Sequence, residues 1–192
     1  MRQYLIAIAL LASFCPNARA QTVKIDLYSD ANRTSCELSD QGTALRTIYL
    51  FAMGTSSISG LRLYAPKPDC WIGASWIADI LPQPAGTLGN SQTDWNISYG
   101  ICRTPPALAG QINYLATGGS LPCCLASAKD PGNITDEVGN VIHRFVWYDC
   151  AFGEHTLQPG QSLVINPDNS CRCQSPLAAE NSTWGRVKSL YR

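Results

Sequence analysis

Eight of the nine cysteines lie beyond the first 20 residues: Cys36, Cys70, Cys102, Cys123, Cys124, Cys150, Cys171 and Cys173. An even set of this size in an exported chain predicts a framework of four disulfides, although spacing alone leaves on the order of a hundred pairings open. Adjacent cysteines can bond to each other only through a strained ring, so Cys123 and Cys124 are expected to reach different partners. Alternate residues of an extended segment point the same way, which predicts the same for Cys171 and Cys173. The C-terminal pair is therefore expected to tie the Cys36 loop and another loop to the end of the domain.

The first residues supply the export signal that this reading needs. Met1-Arg2-Gln3 precedes an apolar run from Tyr4 to Phe14, and Asn17-Ala18-Arg19-Ala20 places small residues at −3 and −1 of a cut before Gln21. That is the layout of a cleaved secretory signal peptide over 1–20. Its apolar run is well short of the ~20 residues that a membrane-spanning helix needs, so no transmembrane anchoring is expected. Loss of Arg2 and Arg19 from the 14 basic residues, against 14 acidic ones, leaves a mature charge of −2. Such a balance gives no basic footprint for nucleic acid or an anionic membrane. The expected location is secreted, periplasmic or cell-surface.

Beyond the leader, period-two apolar alternation dominates. Val23, Ile25 and Leu27 alternate with Lys24, Asp26 and Tyr28 as a half-buried strand would. The stretch 44–53 has two unequal apolar faces, Leu45, Tyr49 and Phe51 against Ile48, Leu50 and Ala52, and is expected to be central. Further strands are predicted over 60–64, 75–81, 95–102, 111–117, 141–148 and 162–165. Pro66-Lys67-Pro68, Pro82-Gln83-Pro84, Pro105-Pro106, Gly118-Gly119, Asp130-Pro131-Gly132 and Pro159-Gly160 punctuate them. Roughly eight strands at this spacing predict one all-β domain over 21–181, an antiparallel β-sandwich of the immunoglobulin-like or cohesin-like kind, with a jelly roll as the alternative. After Ser182-Thr183, Trp184, Val187 and Tyr191 fall on one face at helical spacing, so a short C-terminal helix over 182–192 is expected. Those three side chains either plug one end of the sandwich or form a docking segment.

Two stretches carry a resemblance: Ile25-Asp-Leu-Tyr-Ser-Asp30 with Thr34-Ser-Cys36, and Asn166-Pro-Asp-Asn-Ser-Cys-Arg-Cys173 with Thr183-Trp-Gly-Arg-Val-Lys-Ser-Leu-Tyr-Arg192. Together they resemble a loose group of exported bacterial proteins that carry no assigned activity. The resemblance runs from end to end of the mature chain. It implies a bacterial exported β-sandwich and carries over no catalytic residue.

The chemistry-bearing residues are sparse. Only His143 and His155 could serve as a base beside a nucleophile, and no G-x-S-x-G elbow occurs. His143, between Val141 and Phe145, reads as a core or sheet-face residue. Cys123-Cys124 and Cys171-x-Cys173 lack the two-to-four-residue separation of structural zinc pairs, so no metal is assigned. Asp30-x-Asn32-x-Thr34 begins like a calcium loop, but Ser35 and Gln41 stand where such a loop needs glycine and a bidentate acid. A turn with Asx-type side-chain bonds is expected instead. Acids such as Asp26, Asp79, Glu137, Asp149 and Glu154 are scattered, and nothing in the sequence pairs them as glycoside hydrolysis requires.

Aromatic rings are the better lead. Of Trp71, Trp76, Trp95, Trp147 and Tyr148, Trp71 sits in the most loop-like context, next to Cys70 and after Pro66–Pro68. Trp71 and Trp76 are the candidate ligand-binding aromatics. The function expected is a non-enzymatic exported binding or structural module of the cell envelope or extracellular space, with a glycan or an envelope protein as partner and no cofactor. The alternative is a secreted hydrolase acting on polysaccharide or peptide.

Overall fold

The computed structural model describes residues 22–173. In chain order the strands are β1 (Val23–Tyr28), β2 (Glu37–Leu38), β3 (Ala44–Gly54), β4 (Ile58–Leu63) and β5 (Ala74–Ile80). They continue with β6 (Gly86–Leu88), β7 (Trp95–Arg103), β8 (Ala107–Ala116), β9 (Cys124–Ala126) and β10 (Ile134–Thr135). The last are β11 (Val141–Ile142), β12 (Val146–Asp149), β13 (Glu154–Thr156), β14 (Gln158–Pro159) and β15 (Leu163–Ile165). No helix occurs among the described residues. The expected C-terminal helix with Trp184, Val187 and Tyr191 lies outside them.

Two five-stranded sheets form the layers, ordered β14-β1-β3-β8-β5 and β13-β12-β4-β7-β6. The inward residues of the first are Val23, Ile25 and Leu27, then Ile48, Leu50 and Ala52, then Ala109, Ile112 and Tyr114. They join Ile58, Leu61 and Leu63, Trp95, Ile97 and Tyr99, and Trp147 from the second in one buried cluster. This is a β-sandwich, built by the alternation read from the sequence. It is antiparallel except for two short parallel pairs, β1 with β14 and β15 with β2. The layers meet closely where Trp95 reaches across to Gly110, at which a Cβ would stand 2.5 Å from Cη2 of the indole. Tyr99 makes a second crossing, donating its hydroxyl to the carbonyl of Ala109 at 3.0 Å.

Trp71, Trp95 and Trp147 are wholly buried. Each such ring removes roughly 150–250 Å² from water, a gross transfer term of about 4–6 kcal/mol. Burial removes Trp71 as a candidate ligand-binding aromatic. The backbone N–H of Trp71 donates to the Pro68 carbonyl at 3.0 Å, closing a turn, and the neighbouring Cys70 is bonded to Cys124. That crosslink draws the loop inward until the indole packs on Tyr114, with ring centroids 4.6 Å apart.

The four disulfides are Cys36–Cys173, Cys70–Cys124, Cys102–Cys150 and Cys123–Cys171, with Cα separations of 5.5–5.8 Å. Cys123 and Cys124 do go to different partners, and so do Cys171 and Cys173. Three of these bonds fasten a small third sheet, β2-β15-β9, to its surroundings. Cys36 and Cys173 also cover Tyr28 and Phe51 on the outer side of the first sheet. Asp40, fully buried, is held at the same end. It accepts from the Asn166 amide and from the Ser120 N–H at 3.3 Å, while its own N–H donates to Asn166 Oδ1 at 3.1 Å.

The predicted strand over 141–148 is broken. His143–Phe145 interrupts it between β11 and β12, and β11 pairs only with β10. His143 is consequently exposed rather than in the core, its ring Nδ1 3.2 Å from Asn133 Oδ1. No helix among the described residues is long and apolar enough to cross a membrane.

Candidate functional site: an aromatic-flanked trench

The outer face of the second sheet carries a trench whose floor follows from strand register. Tyr148 pairs with Gly60, Gly60 with Ser98, and Ser98 with Gly86. Directly opposed residues project to the same side of a sheet, so this row crosses four strands with two glycines in it. The neighbouring row, Arg62, Asn96 and Leu88, stands taller and forms one bank. Ser59, Gly100, Ile101 and Phe152 line the other. Three strand spacings make the trench about 14 Å long. Its deeper parts are two adjoining hollows of 180 and 250 Å³ that share Ser59, Ser98 and Phe152.

Phe152 is 79% exposed and stands in a left-handed backbone conformation, φ 65°. A bulky residue there is strained, and such a conformation persists only when the surroundings fix it. Here they do. The Asp149 carboxylate accepts the N–H groups of Ala151 and Gly153, each at 2.8 Å. Asp149 and Gly153 exchange a further backbone bond at 2.9 Å, and the Phe152 N–H donates to the Asp149 carbonyl at 3.0 Å. Cys150 is bonded to Cys102 of β7. His155 Nε2 lies 2.9 Å from Asp149 Oδ2 while its ring stacks on Trp147 at 4.4 Å. An apolar ring is thus presented to solvent on a clamped loop.

The arginines beside the trench are engaged elsewhere. Arg62 forms a two-point bond with Asp94, which also meets Arg144 at 3.4 Å. Arg103 donates to the carbonyls of Pro82 and Gln83. Glu154 sits beyond Tyr148 in the same row and bonds to its hydroxyl; burial first, and then this carboxylate, push the phenol pKa up, so Tyr148 remains neutral. No Asp, Glu, Lys, Arg or His lines the two hollows. What remains is hydroxyl and amide groups from Ser59, Ser98 and Asn96 between two aromatic rings.

The His155 bond holds the Asp149 carboxyl below the usual carboxylate range, and the Arg62 bond does so for Asp94. A carboxyl whose folded pKa is depressed adds stability above its unfolded pKa and loses it as pH falls toward the folded one. The thermal midpoint should therefore stay level from neutral pH to about 5 and fall below about 4. Asp149→Asn should flatten part of that acid slope. An unchanged midpoint at pH 3 would contradict this assignment.

Of the two ring candidates, Trp71 offers no surface. Trp76 is 37% exposed on β5, an edge strand, and donates its indole N–H to Asp79 at 3.1 Å. It lines a separate, more open cleft of 330 Å³ with Ile77, Leu81, Thr87, Asn90 and Trp95. The trench residue that sequence reading missed is Phe152. A lone aromatic between Cys150 and Gly153 has no periodicity, and its only signal is an apolar residue inside a turn beside a cysteine.

The hydrolytic alternative finds little here. His155 is bound to Asp149 and stacked on Trp147, with no nucleophile hydrogen-bonded to it among the described residues. Cys123, Asp168 and Cys171 come within 4.8 Å of one another, but the two sulfurs are bonded together, so neither is a thiolate ligand. Asp30 forms the Asx-type turn, accepting from Asn32, Thr34 and Ser35.

The fold and the trench define an all-β, disulfide-bonded sandwich with an uncharged surface site. Solved structures of similar fold include a cohesin module from a Clostridium perfringens family 33 glycoside hydrolase, with TM-score 0.48 and 10% identity over 77% of this chain and 98% of that one. Another is a Clostridium thermocellum type I cohesin–dockerin complex, with TM-score 0.46 and 6% identity over 77% and 99%. A third is the sixth cohesin of scaffoldin B from Acetivibrio cellulolyticus with a dockerin, with TM-score 0.45 and 12% identity over 77% and 99%. The likeness is one of fold and carries no site residue across. The sequence matches no protein-family model and no curated protein.

Proposed function

We propose that this protein is an exported, non-enzymatic binding module of a bacterial envelope or the extracellular space, and that it binds through the trench on the second sheet. The observation that supports this reading is Phe152, an exposed ring in a strained conformation fixed by a disulfide and the hydrogen bonds around Asp149. An apolar ring held in water at the expense of backbone strain supports a ligand-binding role. The rest of the site supports binding over catalysis, because the trench has a polar floor and lacks a convergent acid and base. Four disulfides fit an oxidising compartment.

The test separates binding from turnover. The mature protein is incubated with polysaccharide and protein substrates, and both retention and released reducing ends or peptides are measured. Retention without release is expected, and Glu154→Gln and His155→Gln remove the acid and the imidazole of β13 as candidate catalytic groups. Product release that disappears in either variant would replace this reading with the hydrolase.

A further inference from the structure

We infer that the trench is a subsite for a neutral saccharide, two or three pyranose residues of an uncharged glycan laid across β12, β4, β7 and β6; this rests on the binding-module reading above. Three features of the site select that chemistry.

The first is charge. Neither hollow is lined by Asp, Glu, Lys, Arg or His; the neighbouring Arg62 and Arg103 are already paired or bonded, and Glu154 stands beyond the Tyr148 end of the row. An anionic glycan or a charged peptide entering here would lose hydration without gaining a counter-charge. A neutral polyol avoids that penalty.

The second is the pairing of rings with hydroxyl and amide groups. Pyranoses have apolar C–H faces and polar edges. Phe152 and Tyr148 offer aromatic faces whose negative charge attracts weakly positive C–H groups. Ser98 and Asn96 offer donors and acceptors, and Ser59, whose hydroxyl donates to the Asp149 carbonyl at 2.6 Å, offers an acceptor.

The third feature excludes a peptide strand. The trench runs across the strands on a sheet face, where the backbone groups of β4 and β7 are already engaged with each other and with β12 and β6. An extended peptide gains its affinity at a sheet edge, through unpaired backbone groups. This floor offers it none. Glycines also keep the floor low: a Cβ at Gly60 would meet the Ile97 carbonyl at 2.7 Å, whereas one at Gly86 meets nothing within 4 Å.

That contrast provides the test. Phe152→Ala removes the exposed ring, and Gly86→Leu fills the far end of the trench from an open position where it does not disturb folding. Trp76→Ala alters the separate cleft and is the control. The unreduced mature chain and the three variants are run in affinity electrophoresis through soluble neutral glucan, xylan, mannan and galactan, with pectate, alginate and a denatured protein as charged and peptide probes. Retardation by at least one neutral polymer is expected, weakened about tenfold or more in Phe152→Ala and Gly86→Leu but kept in Trp76→Ala. Retardation only by a charged polymer or by protein, sensitive to the same two variants, would overturn the neutral-saccharide assignment and leave the binding module standing. Retardation insensitive to both would overturn the trench itself. No retardation in any gel would overturn the saccharide subsite.

Discussion

A Cys36→Ser, Cys173→Ser variant is expected to lose about 5 kcal/mol of stability by the chain-entropy relation, the largest loss open to any one disulfide here. The reason is loop size. This bond spans a sequence separation of 137 residues, against 54 for Cys70–Cys124 and 48 for the other two. The shorter bonds come to about 4 kcal/mol each when taken alone. They are not additive, because Cys70–Cys124 and Cys123–Cys171 share the same segment. The long bond has a packing role as well, since its sulfurs cover Tyr28 and Phe51, whose rings meet edge to face at 5.8 Å. Urea unfolding of the paired serine variants would measure the order. A larger loss for Cys102→Ser, Cys150→Ser would overturn it.

The second large effect is on a residue that looks like a surface ligand ring in the sequence. Trp71→Ala is expected to cost about 3–5 kcal/mol, in the range for a large aromatic truncated in a packed core. The indole is fully buried against Tyr114, and the Trp71 carbonyl accepts from Lys67 Nζ at 2.9 Å. Phe152→Ala should change stability by about 0.5 kcal/mol or less, as a solvent-facing substitution does. Thermal melts of both variants check the contrast. A near-wild-type midpoint for Trp71→Ala would mean that the 66–71 loop packs differently.

The long strands were legible because their alternation is governed by burial. Ile48, Leu50 and Ala52 face the other layer, while Tyr49 and Phe51 face the disulfide-covered patch, so both apolar sides of β3 find a partner. Ala107–Leu108, in contrast, extends β8 directly after Pro105-Pro106, where proline punctuation predicts a loop. Two- and three-residue strands such as β2, β9, β13 and β14 contain too few positions to show any period. The fate of Cys123 and Cys124 was legible from bond geometry alone. The burial of Trp71 was not, because it depends on Cys70 reaching Cys124, 54 residues away. The trench was invisible for a related reason: Tyr148, Gly60, Ser98 and Gly86 come from four separated stretches, joined only by register.

The Cys36–Cys173 bond also determines what the domain does under tension. A pull applied at residue 22 and at residue 173 crosses from Cys173 directly to Cys36, so the stretch between them is short-circuited and bears no load along its contour. Only the chain from 22 to 36 can lengthen, to at most on the order of 50 Å when β1 leaves its sheet. The Phe152 clamp, the trench floor and the buried tryptophans all belong to the unloaded ring. A sandwich wired in this way can yield at one strand and keep its trench face assembled, behaving as a tether with a fixed stop.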